Sequence, residues 1–170
     1  MKNISTALAF AAMLCAGSAM SQTTTNTIVA KFGKAPGGAN FTVLLENKGP
    51  AQTVSGFAFK VGYDPAQASF DGVANSTGQP ASGVQYTIGP VKDVEVPQGA
   101  KAYRILTMTT LKNLEKAPSL VELKFTKKGD GPLMLVVDDR EKDPVDGVQD
   151  ASLNNIPHEF DLSAVAGAAL

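Results

Sequence analysis

From residue 27 to residue 137 the apolar side chains recur mostly at a spacing of two, the period that sends successive residues to opposite faces of a β-strand. Ile28, Ala30 and Phe32 share one such face, and Phe41, Val43 and Leu45 another. Phe57, Phe59, Val61 and Tyr63 form the longest series, with the small or polar Ala58, Lys60 and Gly62 between them. In the stretch 120–127, Val121, Leu123 and Phe125 point one way and Glu122, Lys124 and Thr126 the other, so one face of that strand meets water. Val84, Tyr86 and Ile88, the stretch 103–110, and Leu133, Leu135 and Val137 complete the set. Between these runs stand chain-reversing clusters such as Pro36-Gly37-Gly38, Gly49-Pro50, Asp64-Pro65, Pro97-Gln98-Gly99 and Gly129-Asp130-Gly131-Pro132. Many short strands separated by such breakers predict an all-β fold: a two-layer antiparallel β-sandwich, jelly-roll-like, of eight or nine strands. The one expected departure is a short helical turn over 111–117.

The front of the chain follows a different pattern. Lys2 opens it, an apolar run fills 4–16, and small residues surround Ala19 and Ser21, the layout of a secretory signal peptide. Residues 1–21 are therefore read as a signal peptide and 22–170 as the domain, secreted or periplasmic. The apolar run is shorter than the ~18–20 residues that span a bilayer, and no later segment approaches that length, so no membrane span is expected. Cys15, the chain's single cysteine, lies within the discarded segment. The exported domain then has no disulfide and must hold together by burial.

Composition narrows the function. A chain of 170 residues makes one domain, and its net charge of −1 lacks the basic excess that nucleic acid binding draws on. One His, one Cys and no Trp leave little catalytic inventory, and no Gly-x-Ser-x-Gly elbow occurs.

Three stretches read together resemble a cohesin domain, the module that receives dockerins in extracellular carbohydrate-degrading assemblies. The first is Phe41-Thr42-Val43-Leu44-Leu45-Glu46-Asn47, followed by an apolar strand ending in Tyr63-Asp64-Pro65. The second is Ala68-Ser69-Phe70-Asp71-Gly72-Val73, and the third is Asp146-Gly147-Val148-Gln149-Asp150-Ala151-Ser152-Leu153-Asn154-Asn155-Ile156, similar to the family's closing Asp-x-x-Leu-Asn-x-Ile. Residues 79–117 match only as generic strands. The resemblance implies a non-catalytic module that docks a protein partner, dockerin-like, on one sheet face. Strand alternation combined with that architecture makes Lys60, Gln85, Thr87 and Arg104 the candidate partner-binding residues. The alternatives are a carbohydrate-binding module of a polysaccharide-degrading system, with polysaccharide as ligand, and a structural component of an extracellular matrix or envelope.

The remaining candidate chemistry is sparse. His158 has no second His or Cys with which to form a zinc site or a thiol pair, and reads as a surface or edge histidine. Asp138, Asp139, Glu141, Asp143, Asp146 and Asp150 place six carboxylates within thirteen residues. Their spacing is not that of an EF-hand, so they read as a solvated acidic loop, with a structural calcium as the other possibility. No cofactor and no catalytic residue are assigned. For stacking against a sugar ring only Tyr103 is free, because Tyr63 and Tyr86 fall on the expected core side.

Overall fold

A computed structural model describes residues 25–49, 54–74, 84–114, 119–140 and 147–170. The signal peptide assigned to 1–21 and the middle of the acidic loop, with Glu141, Asp143 and Asp146, lie outside the described residues.

Among the described residues nine strands are present: β1 (Asn26–Lys34), β2 (Asn40–Lys48), β3 (Val54–Tyr63), β4 (Ala68–Ala74), β5 (Val84–Ile88), β6 (Ala102–Leu114), β7 (Ser119–Lys127), β8 (Leu135–Asp139) and β9 (His158–Asp161). They form a five-stranded sheet in the order β4-β7-β2-β1-β9 and a four-stranded sheet in the order β5-β6-β3-β8. All pairings are antiparallel except that of β9, which runs parallel to β1, with Asn26 opposite His158 and Ile28 opposite Phe160.

The alternation seen in the sequence is what glues the layers. Phe41, Val43 and Leu45 from β2, Leu123 and Phe125 from β7, and Phe57, Phe59 and Val61 from β3 all turn inward and are almost wholly buried. Removing that apolar area from water is the main stabilising term for a domain of this size. Aromatic rings set the contacts: Phe41 stacks on Phe125 at 5.2 Å and Phe57 on Phe59 at 4.3 Å.

One expectation is corrected. The stretch 111–117 does not begin as a helical turn, because β6 continues to Leu114. Val54 pairs with Leu114 and Gly56 with Thr109, so two residues of β3 span five of β6. Pairing with β3 therefore overrides the local helix tolerance and places the surplus residues in a bulge. The C-terminal residues pack back onto the domain. Val165 is fully buried, Leu133 N donates to Ala168 O and Gly167 N to Leu133 O, both at 2.8 Å. Lys127 Nζ also donates to Leu170 O at 2.7 Å.

The Tyr63-Asp64-Pro65 signature acts as a turn lock. Tyr63 closes the buried face of β3. Asp64 accepts from Ala66 N at 3.0 Å and pairs with Lys101 Nζ at 2.8 Å. Together these contacts hold its carboxyl below the ordinary value, Lys101 contributing most.

Candidate functional site

Residues paired across a ladder share a face, so the register defines the outer wall of the four-stranded sheet. Gln85 stands opposite Thr109, Thr87 opposite Thr107, Ala58 opposite Thr107, Lys60 opposite Ile105 and Asp138, and Gly62 opposite Tyr103 and Val136. Uncharged hydroxyl and small side chains dominate the middle of this wall. Gln85, Thr87 and Thr109 are exposed, while Lys60, Ile105 and Thr107 are half-buried.

Beyond Ala58 the wall dips into a shallow groove of about 190 Å³ between Gly56, Ala58, Thr107 and Thr109 on its floor and Arg140, Gly147 and Gln149 on its rim. The floor is low because its β3 positions carry almost no side chain. A Cβ on Gly56 would stand 3.2 Å from Met108 O. The rim is backbone-fixed: Gln149 N donates to Gly56 O, Ser55 N to Gln149 O, both at 2.8 Å, and Arg140 N to Ala58 O at 2.9 Å.

Three of the four sequence candidates, Lys60, Gln85 and Thr87, lie on this wall. Arg104 does not, and its expected outward direction is corrected. It pairs with Val61, an inward position, and its guanidinium donates to Gly89 O at 2.7 Å from Nε and to Phe70 O at 3.0 Å from Nη1. A charged residue is tolerated there because both donors meet carbonyls at the rim of the core.

Tyr103 holds the outward position beside Arg104 but is not free, being only 4% exposed. The segment between β5 and β6 folds over it: Lys92 and Tyr103 exchange backbone hydrogen bonds at 2.8 and 2.9 Å, and the ammonium groups of Lys60 and Lys92 lie 5.9 and 6.0 Å from its ring. Tyr86 is half-buried and donates its hydroxyl to Leu120 O at 3.2 Å. Among the described residues the exposed large apolar side chains are Val91, Val94 and Leu153, none of them aromatic.

His158 sits on edge strand β9 as read, but its side chain is only 7% exposed. Its Nδ1 meets Ile156 O at 2.8 Å and its Nε2 meets Asp139 Oδ1 at 3.0 Å. With both ring nitrogens engaged, neither is open to accept a proton from a hydroxyl nucleophile. Asp150, whose carboxylate accepts from Ser152 N at 2.8 Å and Asn154 N at 2.9 Å, organises the turn that carries Leu153 at φ 62°. Among the described residues no three His, Cys, Asp or Glu side chains gather as metal ligands.

A second cleft, about 280 Å³, lies on the five-stranded sheet between Lys34, Asn40, Thr42, Asp71 and Lys124. Both oxygens of Asp71 are already engaged there, with Ser69 Oγ at 2.8 Å and Thr126 Oγ1 at 2.6 Å.

The groove, its rim and the inward turn of Arg104 were not read from the sequence. The small positions Ala58 and Gly62 between large apolar residues were the one available sign of a low outer wall.

No family model matches the chain, and no curated protein sequence matches it; the likeness to known proteins lies in shape. A non-cellulosomal cohesin from the archaeon Archaeoglobus fulgidus superposes with a TM-score of 0.52 at 15% identity, over 80% of this chain and 86% of that one. A type II cohesin from the cellulosome of Acetivibrio cellulolyticus gives 0.53 at 16%, over 84% and 95%. The sixth cohesin of that organism's scaffoldin B, solved in complex with a Cel5 dockerin variant, gives 0.53 at 13%, over 81% and 94%. The two-sheet sandwich of this chain is thus a cohesin-like fold.

Proposed function

We propose that this chain is a secreted, non-catalytic docking module that binds a dockerin-like protein on the outer wall of β5-β6-β3-β8. The observation that carries the reading is the middle of the wall: uncharged small and hydroxyl side chains, with a groove walled by Arg140 and Gln149 at one end. Such a floor lets another protein's backbone approach closely, and the groove can seat one or two anchoring side chains, where interface energy concentrates. Lys60, Gln85 and Thr87 would form the surrounding polar contacts. The solved complex of a similar fold with a dockerin supports a protein as the partner. The absence of an exposed aromatic ring among the described residues weighs against a polysaccharide platform.

The test is calorimetric titration of the full chain with a panel of dockerins, beside sedimentation with insoluble polysaccharide. Ala58→Arg fills the groove and should weaken dockerin binding by about a hundredfold, whereas Lys124→Glu on the opposite sheet should leave it unchanged. Retention by polysaccharide with no dockerin bound, or equal loss in both variants, sinks the reading.

A further inference from the structure

We infer that His158 is a proton-operated clamp on the groove: as an imidazolium it reinforces the backbone-fixed rim that carries Arg140 and Gln149, and losing that proton loosens the rim. The inference deepens the docking reading and rests on it for the rim's purpose.

The two partners of the ring dictate its state. Ile156 O is a carbonyl and Asp139 Oδ1 belongs to a carboxylate, and both only accept, at 2.8 and 3.0 Å. A hydrogen on each ring nitrogen satisfies both acceptors, and the ring is then cationic. A neutral ring has one N–H for two acceptors, so one nitrogen lone pair would face an oxygen lone pair.

The clamp joins the open edges of the two sheets, β9 in one and β8 in the other. Gly147 packs directly on it: a Cβ there would stand 3.1 Å from His158 Cε1 and 3.6 Å from both Asp139 carboxylate oxygens. From that point the chain runs as a small hairpin. Ile156 N donates to Val148 O at 2.8 Å, and Gln149, opposite Asn155, forms the groove rim against Gly56. On the other side Arg140, the second rim residue, directly follows Asp139 and is tied to Ala58 O. Both rim residues thus flank the same ion pair, which adds to the backbone bonds that tie them to β3.

The surroundings favour the cation. From β8, Asp139 touches the ring and Asp138 adds a second negative charge. From β3 and within β9 the neighbours are the rings of Phe59 and Phe160, at 6.4 and 5.2 Å, and Asn26 opposite on β1 is uncharged. Glu159 points to the other face, where it accepts from Thr27 Oγ1, and Asp161 accepts from Ser163 N. Burial lowers the tendency of the imidazole to hold its proton, but the Asp139 hydrogen bond, the Ile156 carbonyl and the two aspartate charges outweigh it, raising the pKa above the ordinary 6.5. A group raised on folding stabilises fully below its unfolded value, and that contribution is lost as pH rises through the folded value. The clamp therefore contributes fully below about pH 6.5, and its contribution is lost as pH rises through the higher folded value.

His158 is the chain's single histidine, so its ring signals in an NMR titration of the full chain are unambiguous. The midpoint should lie above 6.5, and Asp139→Asn should lower it. Amide exchange gives an independent readout without a variant. As pH crosses the midpoint, the protection factors of Gln149 and Arg140 should fall by about tenfold relative to that of Leu106, deep in β6. A midpoint at or below 6.5, or Gln149 and Arg140 tracking Leu106 throughout, overturns the clamp. These measurements need no partner, so an unproductive dockerin panel leaves them standing. Equal affinity for a bound dockerin on both sides of the midpoint overturns the coupling while leaving docking intact.

Discussion

Arg104 ties the two sheets together through Phe70: its Nη1 donates to the Phe70 carbonyl at 3.0 Å, and its guanidinium carbon lies 5.9 Å from the centre of the same residue's ring. Phe70 belongs to β4 in one sheet and Arg104 to β6 in the other, and Nε adds a bond to Gly89 O at 2.7 Å. Truncating the side chain strands two carbonyls that had a charged donor. Arg104→Ala should therefore cost roughly 2–3 kcal/mol in urea unfolding. Arg104→Lys should recover only part of this, since a single ammonium cannot reproduce a planar two-donor fork. Dockerin affinity of the folded variants should be unchanged; a selective loss of binding at full stability would return Arg104 to the docking wall.

The same residue shows where sequence reading stops. A period of two assigned nearly every strand, because Phe41, Val43, Leu45, Phe57, Phe59, Val61, Leu123 and Phe125 are large, apolar and regularly spaced. In β6 the signal is mixed: the inward set includes Arg104, and the outward set includes Tyr103 and Ile105. The charge on Arg104 then suggests the wrong face, since alternation fixes which residues share a side but not which side is the core. The burial of Tyr103 depends on a segment folding over the outer wall, and the burial of His158 on Asp139, nineteen residues away. The parallel docking of β9 and the packing of Val165 are likewise long-range events without a local periodic signal. The turn at Asp64 was legible because Pro65 and the Ala66 amide lie within three residues, whereas its Lys101 partner was not.

Phe125 is the aromatic hinge of the core, stacked on Phe41 at 5.2 Å, tilted against Phe70 at 5.4 Å and 1% exposed. Phe125→Ala removes the ring and leaves a cavity between rigid strands. The expected loss is about 3–5 kcal/mol in guanidinium unfolding with an unchanged m-value. A loss below about 1 kcal/mol would mean that the surrounding rings collapse into the gap, contrary to close packing.

The acid limb of stability should be set by carboxylates gripped in the folded state. Glu46 is held below its ordinary value by Lys31 and Lys48, at 2.7 and 2.9 Å, and Asp64 by Lys101 and the Ala66 amide. Such groups contribute fully above the unfolded carboxylate value, about 4, and the contribution disappears as pH falls through their lower folded values. Melting temperature should therefore fall below about pH 4. Asp64→Asn keeps an acceptor for the turn but cannot ionise, so its deficit at about pH 6 should shrink by about pH 2.5. An equal deficit at both ends would show that the Lys101 pairing contributes nothing.

Gly62 sets how closely the segment between β5 and β6 can lie on the outer wall. A Cβ at this position would stand 2.8 Å from Ala100 Cβ and 3.3 Å from Val136 Cβ, distances that neither short, rigid neighbour can relieve by rotating. Gly62 shares the outer face with Tyr103, which that segment covers. Gly62→Leu should therefore push the segment off, at a cost of about 1–3 kcal/mol, and bare the Tyr103 ring. The chain has three tyrosines and no tryptophan, and Tyr63 is buried and Tyr86 half-buried, so acrylamide quenching of tyrosine emission should rise selectively in this variant. Gly72→Ala is the control, because its Cβ would meet only Ile88 Cδ1 at an ordinary 3.9 Å. If Gly62→Leu matches the parent in both stability and quenching, the segment does not rest on the wall, and the docking surface extends over Tyr103.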